Sequence, residues 1–276
     1  VAMGDQALEN QNFTTATESY NVGIGYKAGN QISTGKQNTL IGGLAGDAIT
    51  TASNNTAVGY NSLSTNTTGT ELVAIGMQAL TANTTGSQNI AVGNNALAAN
   101  TTGADNVAIG RRALYVNTTG ADNVAVGEAA GLSVTTGAYN TFLGGQAGDG
   151  STGGSNNVAV GYNTLSANAD TNFNVAIGSN AMVAQNEGGR NVAVGYNALS
   201  NDTKGARNVA VGWGSLNNSN QTSVTTSYNT AVGYDAGNDV TTGTNNTLIG
   251  AFAGDALLAA ADNVAVGFEA LSTETG

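Results

Sequence analysis

The sequence predicts an all-β protein of the β-solenoid class, in which each turn of the chain stacks on the turn before it. A phrase of the form Asn-Val/Thr-Ala-Val/Ile-Gly recurs along the whole chain. Its glycine occurs 16 times; 13 of the 15 intervals are 17 residues and two are 21. So short a period fits one coil of a solenoid but not a helix pair or a propeller blade. Proline is absent, as expected where most backbone N–H groups bond between turns.

The motif glycines number the turns. They are Gly4, Gly25, Gly42, Gly59, Gly76, Gly93, Gly110, Gly127, Gly144, Gly161, Gly178, Gly195, Gly212, Gly233, Gly250 and Gly267.

A short strand is predicted just before each motif glycine. Val107 and Ile109 have period-2 spacing and share one face, whereas Ala108 between them points the other way. Because β-branched residues suit a packed strand face, we expect the Val and Ile face to be buried in the coil. The intervening residue is alanine in 12 of the 16 turns, and we expect it to lie outside the coil.

An exchange of large and small residues indicates where that alanine packs. Three turns carry a large residue in its place and a small one after the glycine: Leu40 with Gly43, Phe142 with Gly145, and Leu248 with Ala251. The exchange predicts that both positions share one packing space outside the coil, against a neighbouring subunit.

The rest of each turn is predicted to form a second short strand and two corners. A leucine such as Leu114 is expected to fill the far side of the coil. Asn-Thr-Thr-Gly, as at Asn83 to Gly86, is expected to make a corner with positive φ. The Asn four residues before the motif glycine, such as Asn106, recurs in nearly every turn and predicts a ladder of stacked amides.

Composition excludes several classes of function. The net charge is −11, and only Arg111 and Arg112 among the seven basic residues are adjacent, which argues against a nucleic-acid partner. Cysteine and histidine are absent, and no nucleophile triad or phosphate loop has credible spacing. We therefore expect no enzyme activity, cofactor or metal. No apolar run is long enough for membrane insertion.

A longer repeat of six turns places an aspartate in an Ala-Gly-Asp step at Asp47, Asp149 and Asp255, spaced by 102 and 106 residues. One carboxylate per site is a weak calcium signal, and a turn-capping role is favoured.

Five aromatic residues that directly follow motif glycines are the candidate contact residues. They form either a stripe that binds a glycan or a protein, or a surface that packs between subunits. These residues are Tyr60, Tyr162, Tyr196, Trp213 and Tyr234.

The assembled motif, shown plainly by residues 191–198, resembles the head repeats of trimeric autotransporter adhesins, the Yersinia-adhesin type of left-handed parallel β-roll. The resemblance spans the chain and implies a homotrimeric, extracellular, adhesive fibre on a bacterial surface, with a host-surface protein or glycan as partner. The chain is also similar to shafts of phage tail fibres, which leaves a virion fibre as an alternative. A third possibility is an ice-binding solenoid, because Thr-Thr pairs recur at one corner. We expect one domain, 1–276, that is a fragment of a longer fibre protein.

Overall fold

The computed structural model describes residues 1–13 and 18–272, and the chain divides into two compact units, Val1–Ala138 and Tyr139–Gly276. Each unit is a parallel β-solenoid, and the described residues contain strands and turns but no helix. The predicted fold class is confirmed.

The first unit holds eight strands that pair in chain order. They are β1 (Ala2–Met3), β2 (Val22–Ile24), β3 (Thr39–Ile41), β4 (Thr56–Val58), β5 (Val73–Ile75), β6 (Ile90–Val92), β7 (Val107–Ile109) and β8 (Val124–Val126). The second unit holds ten: β9 (Thr141–Leu143), β10 (Val158–Val160), β11 (Val175–Ile177), β12 (Val192–Val194), β13 (Gly205–Ala206), β14 (Val209–Val211), β15 (Thr225–Thr226), β16 (Thr230–Val232), β17 (Thr247–Ile249) and β18 (Val264–Val266).

The register places equivalent residues of successive turns side by side. Ala91 pairs with Ala108, and Ala193 pairs with Ala210 in the second unit. Each 17-residue interval is thus one coil, and a sequence position becomes a column along the solenoid. Beside the 21-residue interval from Gly212 to Gly233, β13 and β15 form a separate two-stranded sheet.

The prediction of two strands in every turn is wrong. Each ordinary turn has one strand of three residues, and irregular backbone completes the coil. That backbone still bonds from turn to turn: Leu80 N donates to Ala96 O at 3.0 Å, and Thr84 N donates to Thr101 O at 2.9 Å. The buried polar backbone is therefore satisfied without a second ladder of strands.

The predicted orientation of the strand faces is also wrong. Ala108 and Leu114 are fully buried inside the coil, whereas Ile109 is 40% exposed and Val107 half-buried. The large side chains that fill the interior limit what a strand can point inward, and beside Leu8 even a Cβ added at Gly23 would lie 2.8 Å from Leu8 Cγ. Most turns therefore point an alanine inward, and the Val and Ile side chains face outward.

The exchange of large and small residues is therefore internal, not a subunit contact. The partner of Leu40 is Gly46, where an added Cβ would lie 2.8 Å from Leu40 Cδ2. Gly254 stands in the same relation to Leu248, at 2.6 Å from Cδ2. The residue after the motif glycine, Gly43, instead lies beneath the exposed ring of Tyr60 from the next turn.

The predicted asparagine ladder is confirmed. Asn106 Nδ2 donates to Asn89 Oδ1 at 3.1 Å and to Gly120 O at 2.9 Å, and Asn106 Oδ1 accepts from Asn123 N at 3.0 Å. The second unit repeats this column, for example from Asn246 to Asn229. These side chains are fully buried, and their amides link each turn to the next.

A second buried asparagine ladder, which the sequence analysis did not predict, runs through the Asn-Thr-Thr-Gly corners. Asn83 Nδ2 donates to Asn66 Oδ1 at 3.0 Å and to Gly86 O at 2.9 Å. Positive φ was expected at this corner, but in this repeat it lies at Gln78 (59°), Leu80 (51°), Gln88 (61°) and the motif glycine Gly93 (140°). Gly86 is required for space, because an added Cβ would lie 2.7 Å from Asn83 Oδ1.

Candidate binding surfaces

All five predicted contact residues lie on the surface in the column that follows the motif glycine. Their exposed fractions run from 45% for Tyr196 and Trp213 to 60% for Tyr162. Tyr60 belongs to the first unit and the other four to the second. Tyr60 and Tyr162 have non-aromatic residues at this position in the turns on either side. Only the other three aromatic residues occupy successive turns and can contact one another.

Three of the five form a continuous stack. Trp213 stacks on Tyr196 with ring centroids 5.8 Å apart and on Tyr234 at 5.0 Å, with interplanar angles of 18° and 8°. Phe252 and Phe268 extend the row through edge contacts at 5.3 and 6.0 Å. We call Tyr196, Trp213, Tyr234, Phe252 and Phe268 the aromatic row. Phe252 and Phe268 were not among the predicted contact residues, and Phe252 lies one position further along its turn.

The stacking limits what the aromatic row can bind. Both faces of Trp213 are covered by neighbouring rings, so its exposed part is the ring edge. A sugar ring that packs on an indole face has no free face at Trp213.

An acidic cleft of about 310 Å³ adjoins the aromatic row. Asp235, Asp239 and Asp255 line it beside Trp213. Burial raises the pKa of Asp235, which accepts a bond from Asn238 Nδ2 at 3.0 Å, and also raises the pKa of Asp255; the negative charge of Asp239 adds to both. Within residues 1–13 and 18–272, no group of three or more acidic side chains is arranged to hold a metal ion.

The three aspartates of the six-turn repeat share one environment. In Asp47, Asp149 and Asp255, Oδ1 is buried without a hydrogen-bond partner. Burial raises the pKa of each carboxyl, partly offset by bonds from backbone N–H groups such as that of Gly150 to Asp149. The turn-capping role of these aspartates stays a prediction.

A second surface, which the sequence analysis missed, lies in the column five residues before the motif glycine. Four successive turns of the second unit place there Phe173, Arg190, Arg207 and Tyr228, which we call the arginine cluster. The Arg190 guanidinium lies 5.5 Å from the Phe173 ring centroid, and that of Arg207 lies 5.6 Å from the Tyr228 ring centroid. Arg207 Nη1 also donates to the Tyr228 hydroxyl at 3.0 Å. Arg190 thus reaches toward the preceding turn and Arg207 toward the following one, each onto an aromatic ring.

The arginines looked scattered in the sequence because 17 residues separate them. Aligning the turns into columns would have found the pair, but the four-residue insertion shifts Tyr228 away from a constant period.

The threonine corners bear on the ice-binding alternative. The first hydroxyl of each pair is used internally: Thr84 Oγ1 donates to Thr101 O at 3.0 Å, and Thr101 Oγ1 to Thr118 O at 2.9 Å. The second threonine of these pairs, such as Thr85, is exposed, and the first is half-buried in most of them, as at Thr84. The surface therefore offers one free hydroxyl column, not the paired one that the sequence suggested.

Searches against protein-family models, curated proteins and solved structures each give no significant match for this chain. In the part of the chain that the structure describes, no helix is long and apolar enough to cross a membrane.

Proposed function

We propose that this chain is a segment of a trimeric, extracellular fibre that mediates attachment to a surface or host cell. The observation that carries the proposal is the outward face of the strands, where two apolar or threonine side chains per turn stand exposed or half-buried. In the first unit this face includes Ile75, Ile90 and Ile109, and in the second it includes Ile177 and Ile249. A parallel sheet is normally covered on both faces, but here only the inner face is covered by the chain itself.

The occupant that fits this face is a second copy of the same chain. The strand positions that face outward carry only Val, Ile, Leu and Thr in the three-residue strands, so no charge opposes association. Every copy presents the same face with the same spacing between turns, and copies in register would meet along many turns. The number three comes from the resemblance to trimeric autotransporter adhesin heads.

This proposal reverses the roles that the sequence analysis gave to the two strand faces. The Val and Ile side chains, not the alanines, are the residues expected between subunits. Because obligate oligomer interfaces resemble a domain core, a continuous apolar face suits a permanent assembly.

Light scattering coupled to size exclusion tests the assembly. The trimer is expected at about 82 kDa, three times the chain mass of 27.2 kDa. The I75D/I109D variant should dissociate to monomers, since it buries charges in an apolar interface. T85D/T119D adds the same charges in the same turns on the threonine corner and should remain a trimer. A monomeric unmodified chain would contradict the proposal.

Attachment is tested separately with microspheres coated with the trimer. Retention on cultured epithelial cells under flow should exceed that of albumin-coated microspheres, and equal retention would argue for a spacer role.

A further inference from the structure

We propose that the arginine cluster is a binding site for an acidic sugar, with the sugar carboxylate held between Arg190 and Arg207. The inference rests on the proposed function only in placing the chain outside the cell, where such sugars are displayed.

The backbone fixes the two arginines as neighbours. Arg207 N donates to Gly189 O at 3.1 Å, one turn earlier, and Arg190 N donates to Asn172 O at 3.1 Å. The strands that follow pair Val192 with Val209, so the two side chains leave equivalent positions of adjacent coils. Adjacent parallel strands lie about 4.8 Å apart, so the two side chains start close enough for their guanidinium groups to turn from the flanking rings toward one anion.

Neither arginine is neutralised by the chain. Over residues 1–13 and 18–272, the ion pairs are Arg111 with Glu128 and Lys204 with Glu187. Arg190 and Arg207 contact aromatic rings instead, and like charges in adjacent strands are destabilising. A bound carboxylate would relieve the repulsion, and guanidinium groups bind carboxylates through paired N–H donors.

The local sequence departs from the pattern of its own column. Arg190 and Arg207 have φ angles of 63° and 61°, a left-handed conformation that suits Asn and Asp. Other turns place such residues there, for example Asn156 and Asp105. The arginines also reverse the charge found at Asp105. Gln, Glu, Tyr and Phe also occur in this column, and these two arginines are its only basic residues.

The surroundings favour a sugar that carries a single carboxylate. A cleft of about 230 Å³ lies beside Arg190 and is lined by Phe173, Thr171 and Asn172, and also by Asp170, whose carboxylate accepts bonds from Thr152 Oγ1 and Gly153 N, both at 3.0 Å. Phe173 is 53% exposed and offers apolar surface for a pyranose ring, while the polar neighbours offer partners for hydroxyl groups. The chain's net charge of −11 disfavours a long polyanion such as DNA, which would extend beyond the cluster.

Titration followed by NMR tests the site, with 3′-sialyllactose as the acidic probe and lactose as its neutral counterpart. A glucuronate-terminated disaccharide, as a second probe, identifies the source of the carboxylate. At least one acidic sugar should bind ten-fold or more tightly than lactose. The R190Q/R207Q variant should lose that binding by ten-fold or more.

R111Q/R112Q is the matched control, because it removes the same charge from arginines that already have partners, Glu128 and the Tyr115 ring. It should bind as the unmodified chain does. R190K/R207K keeps the charge but loses the planar fork, so it should show an intermediate loss. This variant also tests the site if the glutamine variant does not fold.

Three results would overturn the inference: no acidic sugar binds, lactose binds equally well, or R111Q/R112Q loses as much affinity as R190Q/R207Q. The solution mass of each sample distinguishes a failure of the sugar site from a failure of the fibre proposal. A trimer without sugar binding overturns the site alone, and a monomer that binds the sugar overturns the trimer alone.

Discussion

Leu40 and Gly46 occupy one packing space inside the coil: a Cβ added at Gly46 would lie 2.8 Å from Leu40 Cδ2. In the common type of turn the sizes are reversed, with Ala108 on the strand and Leu114 in the column of Gly46. These two types of turn thus fill the narrow interior with a large side chain from one column or the other.

This relationship predicts strong coupling between positions 40 and 46. L40A leaves a cavity and should lower the free energy of unfolding by about 2–5 kcal/mol. G46L overfills the space and should cost about 1–3 kcal/mol. The L40A/G46L double variant restores the residue pair of the common turn at these two positions and should recover part of both losses. Ile49, whose Cδ1 also lies 2.8 Å from the added Cβ, stands where the common turn has Asn117. The left-handed backbone at position 46 accepts leucine, since Leu63 adopts the same conformation with a φ of 54°.

Denaturant unfolding of the four proteins measures this coupling as a double-mutant cycle. Simple addition of the two losses would show that the positions do not share one space.

The buried asparagine ladder gives a second prediction. N106A removes the acceptor of the Asn123 backbone N–H, which is bonded to Asn106 Oδ1 at 3.0 Å. A buried donor without a partner costs about 1–3 kcal/mol, so unfolding should become easier by that amount. Amide hydrogen exchange should accelerate at Asn123. N94A, at a half-buried surface position, is the control. It should change neither the free energy of unfolding nor the exchange rate at Asn123 appreciably.

Period and register were predictable from the sequence because a repeat reports both directly: the strand Val107–Ile109 lies where the motif placed it. Orientation was not predictable, because Ile109 and Ala108 both obey a period of two, and only the width of the coil decides which face is internal. The same width explains Gly46, whose partner Leu40 lies six residues away in the same turn. The arginine cluster requires residues of different turns to be superposed, which becomes evident only when the columns are assembled.

Asp202 predicts a pH dependence of stability. Its fully buried carboxylate occupies the column of Asn66 and Asn83, and burial raises its pKa despite a bond from Gly205 N at 2.7 Å. The folded state therefore holds this proton more tightly than the unfolded state. The contribution of Asp202 to the unfolding free energy is fully present below the ordinary aspartate pKa of 3.8. It is lost as the pH rises through the raised pKa of the folded state.

The D202N variant removes that penalty, and its Oδ1 can accept from Gly205 N as Asn66 accepts from Gly69 N at 3.1 Å. Its gain in melting temperature over the unmodified chain should be largest at pH 7 and should shrink toward pH 3.8. D105N removes the same charge from an exposed position and should show no such trend. A gain from D202N that stays constant with pH would contradict the assigned cause.

The motif glycine gives the last prediction, since it sets how closely successive turns approach. A Cβ added at Gly93 would lie 2.5 Å from Gly110 O, and Gly93 has a φ of 140°. G93A should therefore cost about 1–3 kcal/mol from backbone strain alone, and the clash with the next turn adds to this. G43A is the matched control, because its nearest contact would be Tyr60 Cδ2 at 3.6 Å. Thermal unfolding should separate the two variants clearly; equal melting temperatures would show that the turns can move apart to admit a methyl group, and that the recurrence of glycine has another cause.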